Sequence, residues 1–182
     1  MKKLRFFSMW CLLALIIGFL VGCQKNTKND NTSNSSLGGG VINGGVYAGY
    51  VDLGLPSGTK WKAFNEIGNG SGFYTYDEAM STFGSELPSK KQLEELVFYC
   101  TWEWQNNSCY KVTGSNGNYI FLSAAGYNTG TYTTYESLNG HYWSSTPVSQ
   151  AYAWSLVFGD EQVYMSTSRS RDYRLTVRLV RN

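Results

Sequence analysis

The sequence predicts an α+β domain, and three observations predict it. Short runs rich in aromatic and β-branched residues open and close the chain beyond residue 47, and two stretches between them carry the apolar spacing of helices. Gly, Pro and Asn-Gly turns separate the runs. Strands first, then two helices, then more strands is the order of an α+β domain, not of repeating βαβ units.

The elements follow in chain order. Strands at Tyr47–Leu53 and Thr59–Phe64 flank "GLPSG", a Gly/Pro turn. The first helix lies in "TYDEAMSTFG", where Tyr76, Ala79, Met80 and Phe83 stand at i, i+3, i+4 and i+7. Thr75 with Glu78 forms a capping box there, and Gly84 is a natural stop. The second helix, in "LPSKKQLEELVFYC", has Leu93, Leu96, Val97 and Cys100 as its stripe and Ser89 with Gln92 as its box. Both stripes are packing faces. Tyr110–Thr113 and Tyr119–Leu122 flank "GSNGN", a strong hairpin signal. Further strands are expected at Tyr142–Ser145, Ala151–Phe158, Val163–Met165 and Leu175–Val180. Along Ala151–Phe158 the large residues Tyr152, Trp154, Leu156 and Phe158 share one face, expected to be core. Ala151, Ala153, Ser155 and Val157 share the other, expected to be outer or sheet-covered.

The N-terminus reads as a processing segment. Lys2, Lys3 and Arg5 precede a short apolar run from Cys11 to Leu20, and "LVGC" resembles a bacterial lipobox with Cys23 as the lipidated residue. Residues 1–22 are then a lipoprotein signal peptide, and 23–46, almost free of large apolar residues, a flexible tether reaching about 25 Å. One domain remains, residues 47–182. The expected location is the outer membrane, on the cell surface of a Gram-negative bacterium. Loss of the signal peptide leaves 12 basic against 13 acidic residues, without the basic excess that nucleic-acid binding demands. Export to an oxidising compartment allows a Cys100–Cys109 disulfide through Trp102 and Trp104, contributing roughly 2–3 kcal/mol. The alternative is two free thiols, one packed at a helix end; the bridge is the expectation.

The same residues form no catalytic constellation legible in the sequence. His141, the only histidine, stands at a strand start, where a turn role outweighs that of a base. Asp160 and Glu161 are neighbours in a turn, and Glu94 and Glu95 lie on the exposed side of a helix, so neither pair faces across a cleft. "GNGSG" at residues 68–72 lacks the Lys-Ser/Thr and the strand–helix context of a phosphate loop. No metal-ligand spacing is present, and neither cofactor nor enzymatic activity is expected.

Taken together, "YVDLGLPSGTKW", "LPSKKQLEEL", "CTWEW", "YKVTGSNGNYIFLSAAGY", "YWSSTP" and the final "VRLV" resemble the Fibrobacter succinogenes major paralogous domain, over nearly all of residues 47–182. The chain departs from that pattern in the short "NEIGNGSGFY" and in Cys109. The resemblance implies a C-type-lectin-like fold, two helices packed on a small twisted antiparallel sheet, with the last strands and their loops facing a ligand. The domain is also similar to the variable proteins of diversity-generating retroelements, since apparently fixed residues (Trp154, Leu156, Val163, Met165) alternate with substitutable ones near the C-terminus.

Between the last two expected strands lies the polar run Ser166–Asp172. Outward alternation from Val163 and Met165 places Tyr164, Tyr173 and that run at the surface, and aromatics among Ser, Thr, Gly and Asn are the composition of paratopes. The expected contact residues are Ser155, Val157, Tyr164, Ser166, Ser168, Arg169, Ser170, Asp172 and Tyr173. Arg169 and Arg171 are open to two readings, pairing with acidic groups of a ligand or with Asp172 and Asp160 as a solvated rim. The function expected is that of a monomeric, lipid-anchored binding protein for an extracellular protein or carbohydrate. A structural subunit of an envelope complex or appendage is the alternative.

Overall fold

The computed structural model describes residues 40–42, 45–47, 49–105 and 108–182. The expected signal peptide, the lipidation site Cys23 and most of the expected tether lie outside the described residues. Strands β1 (Gly40–Ile42) and β2 (Gly45–Tyr47) nonetheless fall inside or across the end of the span assigned to the tether, and they pair antiparallel with each other. Structure thus begins at least as early as Gly40.

The fold is mostly β, which overturns the α+β, lectin-like expectation of two helices on one small sheet. Thirteen strands in four sheets and two short α-helices are present among the described residues. The helices are where the capping signals put them. In α1 (Tyr76–Phe83) the Thr75 side chain accepts from the Glu78 amide while the Glu78 carboxylate accepts from Thr75 N–H, and Ser89 and Gln92 do the same for α2 (Lys90–Tyr99). Tyr76 and Ala79 of α1 and Leu93 and Leu96 of α2 are buried.

The extra β content comes from segments with weak sequence signals. β5 (Thr101–Gln105) extends the expected hairpin of β6 (Cys109–Thr113) and β7 (Tyr119–Ser123), and β1 and β2 add to its other side, giving the order β2-β1-β7-β6-β5. β5 is an edge strand of only five residues, with Trp102 and Trp104 packed against the core and Thr101 and Glu103 exposed on the other side. A two-residue pair, β8 (Tyr127–Asn128) with β9 (Thr133–Thr134), forms its own small ladder and is tied to Arg174 by a bridge at Asn128. β3 (Tyr50–Asp52) and β4 (Lys60–Lys62) form a small sheet with the C-terminal β13 (Val180–Arg181). The expected strand from Leu175 is mostly a chain of single bridges, to Tyr74 from Leu175 and to Tyr142 from Thr176.

The central sheet decides the architecture. β10 (Gly140–Pro147), β11 (Tyr152–Gly159) and β12 (Gln162–Ser170) lie in that order, all antiparallel. One face gives Tyr142, Leu156 and Phe158 to a core that also holds Val51, Trp61, Leu96, Val112 and Ile120. The other gives Trp143 and Ala153 to a second core with Tyr76, Ala79, Leu175 and Val177. A sheet covered on both faces has no outer side, so the small-residue face of β11 is buried. The large-residue face is correspondingly uneven: Tyr152 is exposed, and Trp154 is half-buried beneath the Lys90 ammonium, 4.6 Å from its ring.

The expected Cys100–Cys109 disulfide is not formed: Cys100 carries a free thiol. Register gives the reason. Cys109 pairs with Gln105 and Thr113 with Thr101, so Cys100 lies five residues up the ladder from the position opposite Cys109. At about 3.3 Å per residue that is roughly 16 Å, far beyond the reach of a bridge.

Candidate functional site

The polar run expected to be a loop is largely strand. β12 continues to Ser170, so Ser166–Ser170 are ladder residues and the turn proper begins at Arg171. What lets so polar a stretch remain β is a register irregularity, since Ser155 pairs with Ser166 but Ala153 with Arg169. The extra residue on β12 swings its end outward and re-aims the Arg169 side chain.

This geometry divides the nine expected contact residues. Ser155, Val157 and Ser166 are buried and have no surface to offer a ligand, which corrects their assignment. They lie on the face of the central sheet closed over by the second core. Tyr164, Ser168 and Asp172 are exposed; Arg169, Ser170 and Tyr173 are half-buried. The Ser166 and Ser168 hydroxyls are 3.2 Å apart, and Asp172 N–H donates to Ser170 Oγ in the turn.

Arg169 and Tyr173 meet at a residue outside the expected set, Tyr127. The Tyr127 ring stacks on Tyr173 with centroids 5.4 Å apart and planes 6° apart. It lies 6.0 Å from the Tyr135 ring, and His141 packs against it edge-to-face at 5.0 Å. The Arg169 guanidinium sits 5.2 Å from its centroid. Tyr127 is thus the hub of a tyrosine layer, open to water at Tyr135; Tyr164 is exposed on the same sheet face, two strands away from His141. Tyr164 belongs to this face because it pairs with Val157, which pairs with His141.

The segment from 126 to 139 that presents Tyr135 is held tightly. Gly126 has φ +71°, and a Cβ there would strike the Thr134 carbonyl. Its N–H donates to Asn139 O, while Ser137 N–H donates to Ala124 O. Tyr135 and Ser137 themselves adopt left-handed φ of 58° and 65°. A bulky aromatic in that region is strained, and such strain persists only where its surroundings impose it.

The electrostatics isolate Arg169. Arg171 packs 4.4 Å from the Tyr76 ring and reaches Asp77 at 3.8 Å, while Arg174 makes two bonds to the Glu78 carboxylate at 2.7 and 2.9 Å. The solvated rim with Asp172 and Asp160 is therefore not what forms. Among the described residues no carboxylate lies within ion-pair distance of Arg169, and its buried Nε has no hydrogen-bond partner. His141 Nδ1, Ser155 Oγ and Thr176 Oγ1 are likewise buried without partners. Burial, aided by the Arg169 charge, pushes His141 down to about 3, so its imidazole is neutral at physiological pH. The arrangement is equipped to stack and to pair with an anion.

The sequence reading missed Tyr127 and Tyr135. Their signal was compositional, tyrosines set among Gly, Thr and Asn in "GYNTGTYTTYE"; the left-handed backbone that presents Tyr135 left no trace in the sequence. Among the described residues no helix is long and apolar enough to cross a membrane, and no group of three or more His, Cys, Asp or Glu is placed to hold a metal ion.

A family model described as a domain of unknown function (DUF8237) matches residues 100–180, a stretch that contains every residue of the tyrosine layer. No curated protein matches the chain, and no solved structure matches it.

Proposed function

We propose that this chain is a non-catalytic binding protein, anchored by a lipid on Cys23 at the outer membrane and exposed to the cell exterior. Its ligand is an extracellular protein or carbohydrate. The observation that carries the reading is Arg169, partly desolvated over Tyr127 with no carboxylate partner among the described residues, with the exposed Tyr135 ring on the other side of Tyr127 and the exposed Tyr164 farther along the same strand. Rigid tyrosines contribute contact area at low entropic cost, and an unpaired guanidinium contributes direction. The contact set is then Tyr127, Tyr135, Tyr164, Arg169 and Tyr173, with Ser168, Ser170 and Asp172 at its margin.

The test uses immobilised full-length protein presented with secreted proteins and with a panel of glycans. A ligand retained by the wild type and lost by the Tyr135→Ala/Tyr164→Ala double variant, with Tm within a few degrees, is the expected result. Equal retention by the two proteins would sink the assignment of this face. Retroelement diversification of the segment is checked in the flanking DNA, where a near-copy of the codons for residues 150–175 differing only at adenines is the expected finding.

A second reading, a subunit of an envelope assembly, is favoured by one feature. Phe98 and Tyr99 are exposed at 74% and 58% at the end of α2, next to β5, the edge strand of its sheet among the described residues. Concentration-dependent self-association in light scattering, abolished by Phe98→Ser, would support that reading over a monomeric receptor.

A further inference from the structure

We infer that the ligand of the tyrosine layer is an acidic saccharide, a sugar bearing carboxylate or sulfate, bound with its charge on Arg169 and a ring face against tyrosine; this rests on the binding reading above. Charge is the first ground. Of the three arginines between residues 169 and 174, Arg171 and Arg174 have carboxylates supplied by the first turn of α1. Arg169 has none among the described residues, although its Nε is removed from water. A partly desolvated guanidinium is costly unless an anion meets it, and its planar fork fits the paired oxygens of a carboxylate or sulfate.

The rings are the second ground. Tyr135 and Tyr164 are 53% and 45% exposed and present flat faces with a polar tip. The C–H face of a pyranose is apolar and faintly positive, complementary to the negative face of an aromatic ring, while its hydroxyls reach the phenolic oxygens. The Tyr135 face is set in place before any ligand arrives, because Gly126 and the bonds to Asn139 and Ala124 fix the segment.

The experiment is calorimetric titration of the full-length protein in detergent with defined probes. These are oligomers of galacturonic and glucuronic acid, the methyl esters of the same oligomers, and a sulfated oligosaccharide of matched length. Binding of an acid form, with its neutral ester weaker by about tenfold or more, is expected, as is weakening by added salt. Arg169→Gln should lose about tenfold and Arg169→Lys less, with Tm and near-UV circular dichroism unchanged; if the Gln variant misfolds, the Lys variant carries the comparison. Preference for the uronates or for the sulfated probe identifies which acid is read. Equal affinity for acid and ester, wild-type affinity in Arg169→Gln, or no binding of any probe overturns the inference. If no probe binds but a protein ligand is retained and lost by Tyr135→Ala/Tyr164→Ala, the acidic-sugar inference falls and the binding face stands.

Discussion

Arg178, buried at 2% exposure, gives its whole fork to the fold. Nε donates to Asn65 Oδ1 at 2.8 Å, Nη1 to the carbonyls of Lys62 and Ala63 at 2.9 and 2.5 Å, and Nη2 to Phe121 O at 2.6 Å. Arg178→Met removes one donor group from four acceptors at once, so a loss of roughly 3–5 kcal/mol in urea unfolding is expected. A loss below about 1 kcal/mol would show that water replaces the guanidinium. His141 makes the complementary prediction about pH. Its folded pKa of about 3 lies below the ordinary 6.5, through burial first and the Arg169 charge second. Between those values the unfolded chain binds a proton that the folded chain does not, so stability is full above about 6.5 and falls as pH drops toward 3. The slope from this group is at most about 1.4 kcal/mol per pH unit. Glu78, held below its usual value by the Thr75 amide first and then by Arg174, loses stability in the same direction as acid is added. His141→Gln should flatten the fall in Tm between pH 6.5 and 4 without removing it. An unchanged slope would mean that His141 is hydrated in the folded state.

The two helices are short enough to depend on their caps. α1 has 8 residues and α2 has 10, below the length at which an isolated helix is stable in water. Thr75→Ala and Ser89→Ala should each cost about 1 kcal/mol in denaturant titration. Thr75→Ala removes the Oγ1 that accepts from the N–H of Glu78, the partner of Arg174, so its effect should exceed that of Ser89→Ala. At the 126–139 segment, Gly126→Ala meets both a left-handed φ and the Thr134 carbonyl. It should destabilise the protein by more than 1 kcal/mol and weaken ligand retention at the tyrosine layer, since Tyr135 loses its fixed placement. Wild-type stability and binding in this variant would show that the segment adapts freely.

At the scale of the molecule, Phe158 joins two sheets. Its ring contacts Tyr142 within the central sheet and Tyr110 and Trp102 of the five-stranded one, with centroids 5.7, 5.5 and 5.9 Å apart. It also fills the space left by the absent side chain of Gly140. Phe158→Ala should cost about 3–5 kcal/mol in urea unfolding, because that space cannot collapse without separating the sheets. A cost near 1 kcal/mol would show that the sheets close over the gap.

The sequence by itself determined the features that depend on neighbours along the chain. These were both capping boxes, the Gly84 stop of the first helix, the Asn-Gly hairpin and the apolar stripes of the two helices that pack into the cores, since caps, turns and stripes are made within a few residues. It also drew attention to Tyr164, Arg169 and Tyr173. Only the tertiary structure decided the rest. The edge strand β5 and the polar half of β12 are β because a neighbouring strand supplies the ladder, which local propensity does not encode. Ser155 and Val157 are buried because a second core closes over their face, and Cys100 is kept from Cys109 by hairpin register. Tyr127 and Arg169, 42 positions apart in the sequence, meet because β8 and the end of β12 converge over His141. Contacts between segments so distant are fixed by how the sheets pack, and no local pattern records them.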